Sequence, residues 1–168
     1  PFQPWTEGTS CGLYNIFDSV LTGEKYPIRA VIAPGSQAIA STRGTKRIIE
    51  ALGKLEFFVV LDLMRTSDMP WADVVMPVAT GYENDHPFET SGSWIMARNQ
   101  VIERLGDYKS DYEFWLDLGT ACGYGEDWWN GDIKAHMDWR MEPLEMTYEQ
   151  LRTEYPKGRK YKSNPPEY

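Results

Sequence analysis

Cysteine and histidine are scarce in this sequence of 168 residues. Cys11 and Cys122 are too few and too far apart for a zinc or iron–sulfur motif, so we predict that each is an ordinary buried thiol. His86 and His136 are equally isolated. Potential metal ligands gather in the segment ENDHPFE at residues 83–89, which we interpret as a solvated acidic surface loop rather than as a metal site. The sequence therefore predicts no metal ligand.

Basic residues are outnumbered, with 17 Lys and Arg against 25 Asp and Glu and a net charge of -8. A nucleic-acid partner is not expected, because phosphate backbones bind clustered Lys and Arg. No apolar run approaches the roughly 18 residues of a membrane span, so we expect a soluble domain without direct membrane insertion. The sequence starts at Pro1 without a leader and ends in KSNPPEY, so we expect a piece of a longer protein whose targeting signal lies elsewhere.

Strand-like and helix-like segments alternate in the first half of the sequence. Apolar residues at helical spacing predict a helix over residues 11–22, and a second helix is expected to begin at Thr45 as its cap and to stop at Gly53. Nearly continuous apolar runs predict buried strands at residues 28–33, 57–62 and 73–78. This alternation predicts an α/β fold, Rossmann-like and doubly wound, with a mainly parallel sheet and helices on both faces.

The second half is less regular. Residues 81–106 are expected to form a long loop with a possible strand near SWIMARNQVIE, and such loops are usually functional or contact another part of the protein. Ser110 with Glu113, and Thr147 with Gln150, are expected to form capping boxes that open two helices, the first of which runs to residue 123. The final YPKGRKYKSNPPEY is basic and proline-rich and indicates a linker.

Two strand ends carry polar chemistry. Ligands of open parallel sheets bind at the carboxyl ends of strands. Gly35, after the first strand, lets a backbone turn approach a ligand, and Asp62, at the end of the next strand, offers a carboxylate to ribose hydroxyls. On these residues alone, a simple turn and a capping Asp are the preferred explanation, because no G-x-G-x-x-G or P-loop motif is present.

A family resemblance covers most of the sequence, from about residue 13 to residue 154. The segment YPIRAVIAPGSQAIASTRGTKRIIEALGKLEFFVVLDLMRTSDMPWADVVMPVATGYE resembles molybdopterin-dependent oxidoreductases of the dimethyl sulfoxide reductase family. That family has a strand and a G-x-N-P turn, then a helix, a strand ending in Asp, a Thr-containing turn and an ADVVLP strand leading to Thr and Glu. The matching positions here are residues 35–38, Asp62, Thr66, residues 72–77, Thr80 and Glu83. ERLGDYKSDYEFWLDLGTACG and MTYEQLRTE are similar to later helices of the family.

The resemblance implies a cofactor and a set of residues that hold it. Family members bind molybdenum or tungsten through two pterins, each extended as a molybdopterin guanine dinucleotide. Residues 1–127 are then expected to form an α/β domain that grips one guanosine diphosphate arm through Gly35, Ser36, Gln37, Asp62 and Thr66. Residues 128–168 would form a helical extension and linker toward a later domain. The metal ligand and any iron–sulfur cluster would lie before this segment, so no catalytic residue is expected here.

The resemblance also implies what the sequence should lack and need. An isolated piece should be inactive and free of cofactor, and its partners would be the remaining domains of the same chain, with possible electron-transfer subunits. A bacterial location, in the periplasm or the cytoplasm, is expected. Gln37 and Ala38 depart from the Asn-Pro of the family. One alternative is therefore a cofactor-free structural domain of a respiratory complex, and another is an unrelated flavodoxin-like binding module.

Overall fold

A computed structural model describes residues 13–24 and 26–161, with the side chains of residues 13 and 14 excepted. The chain divides into two compact units, Pro1–Pro77 and Val78–Tyr168, which are treated separately below. The predicted division after residue 127 concerns function and stays a prediction. The start of the first predicted helix and Cys11 lie outside the described residues, as does the end of the predicted linker.

The first unit contains a parallel sheet of three strands in the order β1-β2-β3. They are β1 (Ala30–Pro34), β2 (Phe57–Asp62) and β3 (Val74–Pro77). The register pairs Pro34 with Leu61 and Asp62 with Pro77, and both pairings are parallel. The predicted parallel sheet and the α/β class are therefore confirmed, and β2 has the predicted bounds.

Helices connect and cover these strands. They are α1 (Leu13–Thr22), α2 (Ala38–Ser41) and α3 (Thr45–Leu52). The prediction that Thr45 caps α3 is wrong by one residue, because Gly44 is the N-cap and makes no side-chain hydrogen bond. Gly44 has a φ of 82°, in the left-handed region that a glycine adopts without strain. Gly53 ends α3, as predicted.

The core of the first unit lies between the sheet and its helices. Phe58 and Val60 of β2 pack in one buried cluster with Phe17 of α1 and Ile48 of α3. The expectation that β3 is covered on both faces is wrong, since Val74–Pro77 is exposed along its whole length. No residue of β3 belongs to the core cluster found in the described part of this unit, whereas β1 and β2 both contribute to that cluster.

The second unit contains an antiparallel sheet of three short strands. They are β4 (Glu89–Ser91), β5 (Trp94–Met96) and β6 (Arg159–Lys160). The possible strand in SWIMARNQVIE is confirmed as β5. The prediction that the tail is only a linker is wrong for β6, which pairs with β5 through Arg159 and Ile95. The turn at Gly158, with a φ of 85°, precedes this strand.

Three α-helices complete the second unit: α4 (Asp111–Gly119), α5 (Ile133–Met141) and α6 (Tyr148–Glu154). Both predicted capping boxes are present, at the starts of α4 and α6. The α-helical part of the first ends at Gly119 rather than at residue 123, and a π-helical turn, Thr120–Tyr124, follows. Buried residues of α5, α6 and β5 form the core of this unit: Ile95, Met137, Met141, Tyr148 and Leu151.

Two classes of feature are absent from the described ranges. No helix there has the length and apolarity that crossing a membrane requires. No group of three His, Cys, Asp or Glu side chains in that part of the chain is arranged to hold a metal ion. Cys122 is exposed, which corrects the expectation of a buried thiol, because it lies in the π-helical turn rather than in a core.

Candidate functional site

The turn after β1 is held against the end of β2. Gly35 has a φ of 58°, and its N–H donates to the carbonyl of Leu61 over 2.8 Å. A side chain there would be strained although the space beside the glycine is open. Ser36 is half-buried and Gln37 is exposed. Pro34 and Leu61 are paired at the carboxyl ends of β1 and β2, and Gly35 and Asp62 follow them directly.

Two amides of this turn are available to a ligand. The N–H of Gly35 is taken by Leu61, and the N–H of Ala38 is taken by a side chain described below. For the N–H groups of Ser36 and Gln37, no acceptor occurs among the residues that the structure describes. Consecutive free amides next to a left-handed residue form a concave site for an anionic oxygen. The turn therefore offers two backbone donors whose acceptor is not among the described residues.

Asp62 and Thr66 lie in the connection that leaves β2. Asp62 is half-buried, and its carboxylate accepts a hydrogen bond from the N–H of Met64 over 3.2 Å. A carboxylate has about four acceptor positions, so Asp62 keeps acceptors for hydroxyl or ring N–H donors. The Oγ1 of Thr66 is buried, and within the described ranges it has no hydrogen-bond partner. A buried hydroxyl in that state is uncommon, because buried polar groups are normally hydrogen-bonded.

Asp68 is an important residue of this region that sequence reasoning missed. It is fully buried. Its carboxylate accepts hydrogen bonds from the N–H of Ala38 over 2.6 Å and from the N–H of Ile39 over 3.0 Å. Asp68 thus joins the connection after β2 to the start of α2. The sequence carries no signal for this contact, because an Asp before Met69-Pro70 reads as a local helix cap.

A cavity of about 230 Å³ lies beneath the turn, inside the first unit. Apolar side chains of α1, β1, α3 and β2 form most of its wall, and Ser36 and Asp68 are the polar residues that line it. Such a wall does not suit a phosphate, because burying a charge without partners is costly. The cavity is therefore not suited to an anionic group.

The segment ENDHPFE is a buried polar network and not the solvated loop that we predicted. Glu83, Asn84 and His86 are all buried. The carboxylate of Glu83 accepts hydrogen bonds from the N–H of Thr80 over 2.8 Å, the N–H of Leu105 over 3.1 Å and the hydroxyl of Tyr108 over 3.1 Å. The hydrogen bonds from these donors, with those from Thr80 as the largest effect, lower the pKa of Glu83 to about 2, although burial acts in the opposite direction. Internal donors replace water around this acidic segment.

His86 lies at the centre of a second set of contacts in that network. Its Nδ1 is 3.1 Å from the carboxylate of Asp85, and its Nε2 is 2.7 Å from the hydroxyl of Ser110. These residue types resemble a nucleophilic triad. However, Ser110 is buried, caps α4 and donates its hydroxyl to Glu113 over 2.9 Å. Arg104 binds the same Glu113 carboxylate over 2.7 Å. This arrangement holds α4 in place and leaves no nucleophile exposed.

Comparison with known proteins identifies the family. A family model described as molybdopterin oxidoreductase matches residues 18–121, which include the turn after β1 and the whole connection from β2 to α4. The chain belongs to the molybdopterin oxidoreductase family. The resemblance to the dimethyl sulfoxide reductase family is thereby confirmed. Members of this family use a molybdopterin cofactor that carries a metal, and the relatives include oxidoreductases.

Individual relatives agree with this assignment. The chain is 30% identical over 149 residues to "Dopamine dehydroxylase" from Eggerthella lenta, covering 82% of this chain and 14% of that protein. It is 30% identical over 128 residues to "Dimethyl sulfoxide/trimethylamine N-oxide reductase" from Rhodobacter capsulatus, covering 73% and 15%. Among solved structures, "Acetylene Hydratase from Pelobacter acetylenicus" matches with a TM-score of 0.77 and 25% identity, covering 92% and 21%. The chain thus spans only a small part of each of these relatives.

Proposed function

We propose that the first unit holds one guanosine diphosphate arm of a bis-molybdopterin-guanine-dinucleotide cofactor within a larger molybdenum or tungsten oxidoreductase. The observation that carries this proposal is that the N–H groups of Ser36 and Gln37, which follow the left-handed Gly35 beside the end of β2, have no acceptor among the described residues. When bound, the cofactor supplies two-electron redox chemistry at its metal. The residues of this chain supply binding and orientation, and the metal ligand is expected elsewhere in the protein.

Each residue of the turn after β1 and of the connection after β2 that we assign to the site has a separate role in this proposal. The N–H groups of Ser36 and Gln37 donate to oxygens of the diphosphate, and Gly35 permits the backbone to come close. Asp62 accepts hydrogen bonds from ribose hydroxyls or from guanine N–H groups. Thr66 donates its hydroxyl, which has no hydrogen-bond partner in the described part of the chain, to an oxygen of the nucleotide. Electron-transfer subunits, other domains of the same protein and a bacterial location remain predictions.

Two substitutions in the whole protein test the proposal. Asp62→Ala removes an acceptor, and hydrogen bonds with charged groups are worth about 1.5–3 kcal/mol, so guanine nucleotide retention should fall by roughly tenfold or more. Gly35→Val should lower it further, because a branched side chain obstructs the close approach and strains the turn. The measurement is the guanine nucleotide released per folded polypeptide after acid treatment.

Matched controls separate binding from folding. Gly23 has a φ of 72° and open space beside it, so Gly23→Val introduces a comparable strain at the end of α1, away from the turn. Asp18→Ala removes a half-buried carboxylate that pairs with Arg47. Both controls should keep wild-type nucleotide content. Unchanged content in Asp62→Ala and Gly35→Val would mean that the turn connects a strand and a helix and holds nothing.

A cofactor-free structural domain is the second proposal. It is supported by Gln37 and Ala38, which stand where the family pattern has Asn and Pro, and by the internal hydrogen bond from Ala38 to Asp68. This bond holds the turn without a ligand. The two proposals differ in one quantity, because a structural domain requires no guanine nucleotide in the wild-type protein. The same nucleotide measurement on the wild type therefore decides between them.

A further inference from the structure

We propose that Asp68 is the positioning residue of the nucleotide turn, a role that rests on the proposed function. Its carboxylate fixes the first two amides of α2, Ala38 and Ile39, and thereby fixes the direction of the free amides that precede them. Asp68 does not touch the nucleotide, because a carboxylate repels a diphosphate. It acts on the ligand through the backbone.

The turn needs such a residue because α2 is only four residues long and lacks a cap of its own. Gln37 occupies the N-cap position with a φ of -129° and a ψ of 54°, and its side chain makes no capping hydrogen bond. Short helices are marginal in isolation, and their first N–H groups require acceptors. Asp68 supplies these acceptors from 30 residues further along the chain.

Asp68 is itself firmly held. The main-chain carbonyl of Asp68 accepts a hydrogen bond from the N–H of Trp71 over 3.0 Å, and the neighbouring Met69 packs against the first core. The Ser67 hydroxyl adds a third donor to the carboxylate at 3.4 Å. A buried carboxylate with three donors is satisfied, whereas the amides of Ala38 and Ile39 would lose their acceptors if it were removed. The connection that follows β1 and the connection that follows β2 are thus coupled through the side chain of Asp68.

The test compares Asp68→Ala with Asp73→Ala in the whole protein. Asp73 is the matched control, because its carboxylate also accepts a backbone hydrogen bond, from Phe58 over 2.8 Å, but at the opposite end of β2 from the turn. We expect both variants to unfold at a lower temperature. Only Asp68→Ala should lose guanine nucleotide, by about tenfold per folded polypeptide, which corresponds to about 1.4 kcal/mol.

Two further variants identify the mechanism. Asp68→Asn keeps one acceptor oxygen, so its nucleotide content should lie between those of wild type and Asp68→Ala, and it carries the test if Asp68→Ala does not fold. Adding Ala38→Pro to Asp68→Ala removes one amide that was left without an acceptor, and proline suits the first position of a helix. This double variant should regain part of the lost nucleotide.

The outcomes separate this inference from the function on which it rests. If wild type contains guanine nucleotide and Asp68→Ala retains as much as Asp73→Ala, Asp68 has only a structural role and the inference is wrong. If Asp68→Asn matches Asp73→Ala after Asp68→Ala has failed to fold, the same conclusion holds. If wild type contains no guanine nucleotide, the proposed function fails first and the inference falls with it.

Discussion

Thr66→Val should have opposite effects on stability and on nucleotide binding. The Oγ1 of Thr66 is buried and has no partner within the described part of the chain. Valine has nearly the same shape as threonine but lacks the hydroxyl. In protein without cofactor the substitution therefore removes an unsatisfied polar group, and in protein with cofactor it removes a donor to the nucleotide.

The magnitudes follow from these two roles. An unsatisfied buried group costs about 1–3 kcal/mol, so the free energy of unfolding of cofactor-free Thr66→Val should rise by about 1 kcal/mol. The unfolding midpoint of the cofactor-free protein should rise accordingly. A lost hydrogen bond to an oxygen of the nucleotide is worth about 0.5–1.5 kcal/mol if that oxygen is neutral and about 1.5–3 kcal/mol if it is charged, so nucleotide affinity should fall by between about twofold and a hundredfold.

Thermal unfolding of cofactor-free protein and nucleotide content of whole protein together provide the assay. Thr120→Val is the matched control, because the hydroxyl of Thr120 already donates to the carbonyl of Leu116 over 2.9 Å. It should be no more stable than wild type and should keep its nucleotide. A Thr66→Val protein that is less stable than wild type, or equally rich in nucleotide, would refute the reasoning about this hydroxyl.

Two predictions concern the second unit. The pKa of Glu83 is lowered to about 2 in the folded state, so its contribution to stability is complete above its usual pKa near 4.5 and is lost as the pH falls toward 2. Urea midpoints measured between pH 7 and pH 2 should show this loss in wild type and a smaller loss in Glu83→Gln, and identical pH profiles for the two proteins would contradict it. Leu151 is fully buried, so Leu151→Ala should reduce the free energy of unfolding, measured by urea titration, by about 2–5 kcal/mol, whereas Leu105→Ala, at a position 87% exposed, should change it little. Equal losses in the two variants would show that the core of the second unit does not contain Leu151.

The sequence predicted the sheet well because the information was local. The run FFVVLD is apolar at consecutive positions, and β2 has the expected bounds with Phe58 and Val60 in the core. Exposure of β3 was not predictable, because a run such as VVMP has the same composition at the edge of a sheet as in its centre. Strand β6 has only two residues, and its pairing with β5 depends on the turn at Gly158.

The candidate site was only half predictable for a similar reason. Gly35 and Asp62 carry a local signal, since each follows a recognisable strand. Asp68 carries none, because its partners Ala38 and Ile39 lie about 30 residues away and are backbone amides of no particular residue type. The acidic segment around Glu83 misled us because its donors, the N–H of Leu105 and the Tyr108 hydroxyl, come from distant positions.

The central claim is that the turn after β1 and the end of β2 hold a guanine nucleotide. The most direct measurement is a density map of the whole protein with its cofactor bound, at a resolution that places the diphosphate and the base. The account predicts phosphate oxygens within hydrogen-bond distance of the Ser36 and Gln37 amides, and ribose or guanine donors at the Asp62 carboxylate. A nucleotide bound elsewhere, with these groups facing solvent or another segment of the protein, would contradict it.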